Sequence, residues 1–186
     1  MKPIQLVPLA GSSEDGFSQE PALDVLEQLA AGLARTFSVP CRVSPRSLEL
    51  GFALDGRRGQ YYSSLILQEL ERGADSSSRL LGVTTCDLYV PVLTFVFGEA
   101  QLEGYCAVVS TARLAEPFYG MPQRDDLLRE RLLKEAVHEL GHTFGLRHCP
   151  DWRCVMTSSH AVERLDVKTA EFCPRCRGPV FQNGWW

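Results

Sequence analysis

Residues 137–149, V-H-E-L-G-H-T-F-G-L-R-H-C, constrain the fold of this chain more than any other stretch. His138 and His142 are four residues apart, so on a helix their side chains lie one turn apart on the same face. Two imidazoles in that arrangement can bind one metal ion together. Glu139 follows the first histidine and lies beside the same face, where it does not have to bind the metal.

A third imidazole follows this predicted helix. Gly145 is a position where the helix can end, because glycine adopts the left-handed conformation without strain at Cβ. The chain can then turn back and bring His148 to the same ion. Three neutral nitrogen ligands and one open position are typical of a catalytic zinc site rather than a closed structural one. Three of the chain's four histidines fall in this short motif, so packed or solvated histidines are the weaker interpretation.

The composition excludes several classes of protein. The chain of 186 residues is 45% hydrophobic and 23% charged, as expected for one globular domain with a substantial core. Its net charge of -4 argues against nucleic-acid binding, which usually requires a basic surface. The apolar runs are too short to cross a bilayer, and residues 1–11 resemble an opening strand more than a signal peptide. We therefore expect a cytoplasmic protein, or one whose leader was removed, with no membrane or nucleic-acid partner.

Hydrophobic periodicity predicts an α/β (α+β) fold in which helices pack on a sheet. Strands are predicted at residues 4–10, 41–50, 80–90, 94–97 and 105–110, and helices at residues 21–37, 61–72 and from Asp125 through the histidine motif. Loops and turns are predicted at residues 12–16, 56–59, 98–104 and 118–123. The last helix should bury one face in the core and present its histidines to a cleft; that face comprises Leu132, Leu133, Ala136, Leu140 and Phe144.

Four cysteines follow the histidine motif, as Cys149-x4-Cys154 and Cys173-x2-Cys176. Seven cysteines in all, an odd number, do not fit a closed set of disulfides. Without an export signal, metal binding is the preferred interpretation, and four thiolates would form a closed zinc site that fixes the C-terminal segment beside His148. Redox chemistry at the C-x-x-C pair, or a disulfide, remains the alternative.

Five further residues receive weaker assignments. Met156 is either an ordinary core residue or part of a tight turn that places an apolar sulfur beneath the metal. His160 is either a surface residue or a substrate contact. The remaining cysteines lie in apolar, strand-like runs and are expected to be small buried residues; they are Cys41, Cys86 and Cys106.

The pattern H-E-x-x-H-x-x-G-x-x-H-C, then C-x-M, then C-x-x-C, resembles the archaemetzincin family of metzincin metallopeptidases. The resemblance is close over the last third of the chain and extends to element order in the rest. It implies a metzincin-like fold: a twisted mixed five-stranded sheet with a backing helix, an active-site helix and a small C-terminal subdomain. Residues 1–186 would form one catalytic domain, with an upper part at 1–145 and a subdomain at 146–186 that contains the Met-turn and the cysteine site.

The resemblance also assigns the residues and two zinc ions per chain. The catalytic zinc would be bound by His138, His142 and His148, with Glu139 as the general base. Met156 would be the Met-turn. The second, structural zinc would be bound by the four cysteines Cys149, Cys154, Cys173 and Cys176.

Together these patterns predict a zinc metallopeptidase, in which zinc activates water and Glu139 moves its proton. A peptide or protein substrate would bind along an exposed sheet edge, for which residues 93–98 and 104–110 are the candidates. We expect the chain to act as a monomer. Two alternatives remain open: a zinc-bound protein that binds peptides but hardly cleaves them, and a thiol redox sensor built on the cysteines.

Overall fold

The computed structural model describes residues 1–12, 18–74 and 77–182. The strands in chain order are β1 (Ile4–Ser12), β2 (Ser18–Gln19), β3 (Cys41–Val43), β4 (Leu48–Glu49), β5 (Leu54–Asp55), β6 (Gln60–Tyr62), β7 (Arg79–Thr84), β8 (Leu88–Tyr89), β9 (Gly98–Ala100) and β10 (Cys106–Ser110). The α-helices are α1 (Leu23–Phe37), α2 (Ser63–Arg72), α3 (Asp125–Thr143), α4 (Val162–Val167) and α5 (Pro174–Gln182), and short 3-10 helices span Gly51–Ala53 and Glu116–Tyr119.

The main sheet has the strand order β2-β1-β7-β10-β9, and β3 and β4 also pair with β1. Its centre is parallel, with Leu6 opposite Leu81 and Leu81 opposite Ala107. The outer strands β2 and β9 run antiparallel to their neighbours. The predicted α/β class with a mixed sheet is therefore confirmed. A second, smaller sheet contains β5, β6 and β8.

Helices cover both faces of the main sheet, which explains why its central strands are apolar throughout. Along β10, Ala107 and Val109 belong to the core cluster that contains α1 and α3. The alternate residues, Cys106 and Val108, belong to the cluster that contains α2. Side chains on successive strand positions point to opposite faces, so each layer of helices receives every second residue.

Helix α3 is the element that the sequence predicted best. Leu132, Ala136 and Leu140 are at most 1% exposed and lie in the core, as the helical periodicity required. At the C-terminal end of the helix, Phe144 stacks on Phe37 of α1, with 5.6 Å between ring centroids. The buried residues that follow α3 belong to the same core cluster as α1 and α3. The last third of the chain is therefore packed directly under the histidine helix.

Two predicted strands are divided in the structure. Residues 41–50 form β3 and β4, because the chain turns at Ser44, whose Oγ exchanges hydrogen bonds with the backbone of Arg46. Residues 80–90 form β7 in the main sheet and β8 in the small one. The prediction of one strand in each place was wrong because a run of apolar residues does not show where the chain changes sheets.

The predictions around residues 94–104 were also wrong. Residues 94–97 form no strand: the Thr94 carbonyl accepts from the side chains of Arg58 and Gln60, and Val96 makes an isolated bridge with Leu88. The strand is instead β9, which begins where a turn was predicted.

Smaller differences concern where elements begin. Helix α2 starts at Ser63, because the two preceding tyrosines lie in β6. The predicted loop at 118–123 begins inside the 3-10 helix Glu116–Tyr119, and the loop predicted at 12–16 lies almost wholly outside the described residues. Within the described chain, no helix is long and apolar enough to span a membrane. Cys86 and Cys106 are buried as expected, whereas Cys41 is half-buried.

A buried arginine ties α3 to the segments on either side of it. Arg131 donates to the Leu114 carbonyl at 2.8 Å and makes a bidentate ion pair with Asp166 at 2.7 Å. It also pairs with Glu116 at 2.9 Å. The Arg131 side chain is 4% exposed, so its charge is compensated mainly by these protein partners.

We expect Arg131→Met to lower the free energy of unfolding by about 2–4 kcal/mol, because two carboxylates lose their cation. The loss should stay below that of a fully buried pair, since the Asp166 side chain is 35% exposed. Arg124→Met is the control, because its pair with Asp126 is exposed and should contribute less than about 1 kcal/mol. Urea unfolding measures both variants, and equal losses would contradict the assignment.

Candidate active site and metal centres

Helix α3 carries the first two histidines and ends as the sequence required. Asp125 and Asp126 occupy its first turn, where negative charge is favourable. At the other end, Gly145 has φ +84 and its N–H donates to the His142 carbonyl at 2.9 Å. This left-handed residue reverses the chain, so the following loop returns towards the helix and carries His148.

The three imidazoles of the motif lie together. The Nε2 atoms of His138 and His142 are 3.1 Å apart. The His148 ring centroid lies 5.3 Å from that of His138 and 5.1 Å from that of His142. One ring nitrogen from each histidine lies within 4.8 Å of the other two. The structure therefore brings together all three histidines that the sequence singled out.

Backbone carbonyls set the orientation of the two helical histidines. His138 Nδ1 lies 2.8 Å from the Val155 carbonyl oxygen, and His142 Nδ1 lies 2.7 Å from the Leu146 carbonyl oxygen. A carbonyl can only accept, so each Nδ1 carries the proton and each Nε2 keeps its lone pair. Burial lowers the pKa of all three imidazoles, of His138 most strongly, which favours the neutral form that binds metals.

Glu139 lies beside this cluster and is 5% exposed. Burial raises its pKa well above the ordinary value, and the neighbouring carboxylates of Glu135 and Glu99 raise it further, against the opposing effect of Lys168. One carboxylate oxygen each from Glu135 and Glu139 lies within 4.8 Å of a His138 ring nitrogen and of the other. A buried carboxylate therefore lies next to the imidazoles.

Met156 packs against the backbone of α3 at Gly141. A Cβ added to Gly141 would overlap Met156 Sδ, and would lie 3.1 Å from Met156 Cε and 3.2 Å from Phe172 Cε1. Met156 is fully buried, in the turn whose Val155 carbonyl orients His138. The sulfur side chain thus packs on the helix at Gly141, where the lack of a Cβ permits this close approach.

The four C-terminal cysteines form a second cluster. One sulfur atom from each lies within 4.8 Å of the other three, and Cys149 Sγ is 3.8 Å from Cys173 Sγ. All seven cysteines of the chain lie in the described part and none forms a disulfide. Burial raises the pKa of the Cys173 thiol, but hydrogen bonds from the Cys176 backbone and the Cys154 and Cys149 side chains outweigh it and lower that pKa to about 7. About half of such a thiol is the metal-binding thiolate near neutral pH. Burial instead raises the pKa of Cys154 and Cys176 above the ordinary value.

A cavity of about 750 Å³ opens over the three imidazoles, within the size range of ligand sites. Residues 93–100 form one wall, and Ser158, Ser159 and His160 line the other side with Arg147. His160 is exposed, as the first of its two interpretations expected, and it also lines the cavity, so a contact with substrate stays a prediction.

The two candidate sheet edges have different outcomes. Residues 93–98 line the cavity, and the strand at the edge of the main sheet, β9, continues that wall. Residues 104–110 were the wrong choice for an edge, because β10 is paired on both sides, with β7 and with β9. Which strand becomes an edge depends on pairing with strands that are distant in the sequence, as β7 is from β10.

Three polar residues around the cavity were not singled out from the sequence. Glu135 is 5% exposed, and its spacing of one helical turn before Glu139 was an available signal. Glu99 accepts hydrogen bonds from Ser63 Oγ at 2.5 Å and Ser64 Oγ at 2.8 Å, a contact across 35 residues or more that no local pattern indicates. Lys168, 2% exposed, lies behind the cavity wall, where its Nζ is 3.7 Å from Glu135 Oε2.

Comparison with known proteins identifies the family of this chain. The sequence profile of Peptidase family M54 matches residues 57–180. The archaemetzincin of Methanocaldococcus jannaschii is 41% identical over 168 residues, which cover 89% of this chain and 92% of the relative.

Solved structures show the same fold. The crystal structure of archaemetzincin from Archaeoglobus fulgidus has a TM-score of 0.78 at 35% identity, covering 95% of this chain and 99% of that one. The zinc-dependent peptidase from Methanocorpusculum labreanum has a TM-score of 0.82 at 28% identity, with the same coverage. The predicted metzincin-like fold is confirmed. The chain belongs to Peptidase family M54, the archaemetzincins, and is a zinc metallopeptidase.

Proposed function

We propose that His138, His142 and His148 bind the catalytic zinc and that Glu139 is the general base of peptide hydrolysis. The observation that carries this proposal is the convergence of three neutral imidazoles beside one buried carboxylate at the floor of a cavity. Three nitrogen ligands leave a position for water or substrate, as in other catalytic zinc sites.

The dimensions of the site suit zinc. Ligands about 2.0–2.1 Å from a tetrahedral ion lie about 3.3 Å from each other. The two Nε2 atoms on α3 are 3.1 Å apart, and their Nδ1 atoms are already held by carbonyls. This arrangement of carbonyl, imidazole and metal is typical of zinc proteins, in which the outer partner fixes the tautomer.

When bound, zinc supplies a Lewis acid that makes water acidic near neutral pH and polarises the scissile carbonyl. Glu139 accepts the proton of the attacking water and returns it to the leaving amine. Burial and the neighbouring carboxylates raise the pKa of Glu139, which favours the transfer of the proton to it.

We propose that an extended peptide binds along β9 at the edge of the main sheet. An edge strand presents backbone N–H and C=O groups that a peptide can pair with. The apolar side chains of the neighbouring wall, Leu93, Phe95 and Phe97, line the same cavity and can contact substrate side chains.

We further propose that the four cysteines bind a second, structural zinc, which gives two zinc ions per chain. Sulfur atoms about 2.3 Å from a tetrahedral zinc lie about 3.8 Å apart, the separation of Cys149 and Cys173. Four thiolates leave no open position, so this ion stabilises residues 146–186 as a small subdomain rather than acting on substrate.

We propose that the protein is a monomer in the cytosol. Every side chain of the proposed site comes from one chain, so no second subunit is needed to complete it. Seven cysteines without a disulfide agree with a reducing compartment.

We expect Glu139→Gln to keep its zinc and lose hydrolysis by at least about 10²-fold, because the amide cannot accept the proton. A peptide library measures cleavage, and a zinc chelator should abolish wild-type cleavage reversibly. Glu27→Gln, an exposed change on α1, is the control. Cleavage by Glu139→Gln at the wild-type rate would refute the base assignment.

Cys176→Ser should lower bound zinc from about two ions per chain towards one and destabilise the C-terminal segment. Elemental analysis of the purified protein gives the count. Cys41→Ser, outside the cluster, should keep both ions. Unchanged zinc content in Cys176→Ser would show that the cysteines do not bind zinc.

Gly141→Ala tests the packing of Met156 against α3. Alanine gains about 1 kcal/mol of helix propensity over glycine, but overpacking against Met156 costs about 1–3 kcal/mol. We expect a net loss of stability together with lower activity. Gly56→Ala is the control, because a Cβ there would meet nothing within 4 Å. Thermal unfolding that showed Gly141→Ala to be more stable than wild type would contradict the contact.

A further inference from the structure

We propose that Lys168 is a positioning residue for the catalytic zinc site: its ammonium holds the Met-turn backbone in the place from which the Val155 carbonyl orients His138. This inference rests on the proposed function, because it assumes that His138 binds the catalytic ion. Lys168 lies outside the motifs that identified the family and is separated from His138 by 30 positions in the sequence.

The contacts of Lys168 place it under the Met-turn. Its Nζ donates to the Val155 carbonyl at 3.0 Å and to the Thr157 carbonyl at 3.2 Å. These two residues flank Met156. The Lys168 side chain is 0% exposed, so both bonds are shielded from water and from competition by it.

One carbonyl joins the lysine to the histidine. The oxygen of Val155 accepts from Lys168 Nζ and also from His138 Nδ1 at 2.8 Å. A carbonyl oxygen has two lone pairs, so it can accept both bonds. The ammonium fixes the oxygen's position, and the oxygen fixes the direction of the His138 ring. Removing the ammonium frees the carbonyl to move and the ring to turn.

Lys168 also meets the buried face of α3. Its Nζ lies 3.7 Å from Glu135 Oε2, an oxygen that has no hydrogen-bond partner among the described residues. Glu135 stands one turn before Glu139 and lines the same cavity. The single cation therefore bridges the Met-turn and the acidic face of the catalytic helix, which fixes the distance between them.

A purely structural role is the competing explanation, and the chain contains a matched lysine for testing it. Lys134, 3% exposed, donates to the Leu165 carbonyl at 2.9 Å and pairs with Glu130 at 2.6 Å. Like Lys168, it joins α3 to the C-terminal segment through a carbonyl and a helix glutamate. Unlike Lys168, it has no bond to the Met-turn among the described contacts.

The experiment compares Lys168→Met with Lys134→Met in the full chain. Competition against a chromogenic chelator gives zinc affinity, and Co²⁺ substitution separates the two metals, because thiolate ligands give charge-transfer absorption that imidazoles do not. Peptide cleavage gives kcat and KM, and urea unfolding gives stability. Glu135→Gln with Lys168→Met forms a double variant that removes both charges of this buried pair, so the Glu135 carboxylate is not left without its cation.

We expect Lys168→Met to weaken zinc at the imidazole site and to lower kcat, each by about 10–100-fold, the usual effect of losing an outer partner of a metal ligand. KM should change less than kcat, and the cysteine site should keep its metal. Lys134→Met should lose comparable stability but stay within about twofold of wild type in zinc affinity and kcat. The double variant should retain the defects of Lys168→Met.

Three results would overturn the inference: wild-type zinc affinity and kcat in Lys168→Met, equal defects in Lys134→Met, or recovery by the double variant. If Lys168→Met does not fold, the zinc affinity and kcat of the double variant alone test the inference. Failure of the proposed function looks different, because the wild-type chain itself would then bind no metal through its imidazoles or show no cleavage that depends on Glu139.

Discussion

The packing of the Met-turn under α3 is the contact on which the rest of this structure depends. Met156 approaches the helix so closely that a Cβ at residue 141 would overlap its sulfur atom. The same turn supplies the Val155 carbonyl that orients His138. The helix presents two imidazoles through its own periodicity. The Val155 carbonyl, 17 positions beyond His138, orients the first ring, and the Leu146 carbonyl, 4 positions beyond His142, orients the second. The helix and the segment that follows it therefore both set the geometry of the site.

The buried charges around this contact show how the site differs from an ordinary core. Arg131, Lys134 and Lys168 are each at most 5% exposed and each reaches from one segment to another. Such groups are costly to bury, and leaving one unpaired costs more than the pair contributes. Their value lies in specifying one docking of the C-terminal segment on α3. Hydrophobic burial favours packing of that segment against the helix, and these directional hydrogen bonds and ion pairs select one packing arrangement.

The two proposed metal sites are joined through two consecutive residues of the chain. His148 and Cys149 are neighbours in the chain, so the cluster of thiols fixes the end of the loop that carries the third imidazole. The other end of that loop is fixed by the left-handed Gly145 and by the Leu146 carbonyl bound to His142. A loop held at both ends loses little entropy when its histidine binds an ion.

The sequence by itself determined the α/β class, the helix that carries His138 and His142, the break at Gly145 and the two groups of possible ligands. These follow from spacing within a turn or two of helix, where periodicity and glycine conformation act locally. The resemblance to metzincins assigned Met156 to the Met-turn, which stays a prediction. The sequence analysis misplaced β9 and predicted single strands at 41–50 and 80–90 where the structure has two each, because pairing between distant segments decides which apolar run joins which sheet.

Only the tertiary structure decided what surrounds the site: the Val155 carbonyl, Glu135, Glu99 with its two serines, and Lys168. No motif specifies these residue types, and their partners lie 11 to 36 positions away in the sequence except where Glu135 and Glu139 share a helix. A hydrogen bond between distant segments leaves no periodic trace in the sequence, since either partner is an ordinary polar residue or a backbone carbonyl. The residues that could bind metal can thus be predicted from the sequence. The groups that orient their side chains and shift their pKa values are brought to the site only by the folding of the chain.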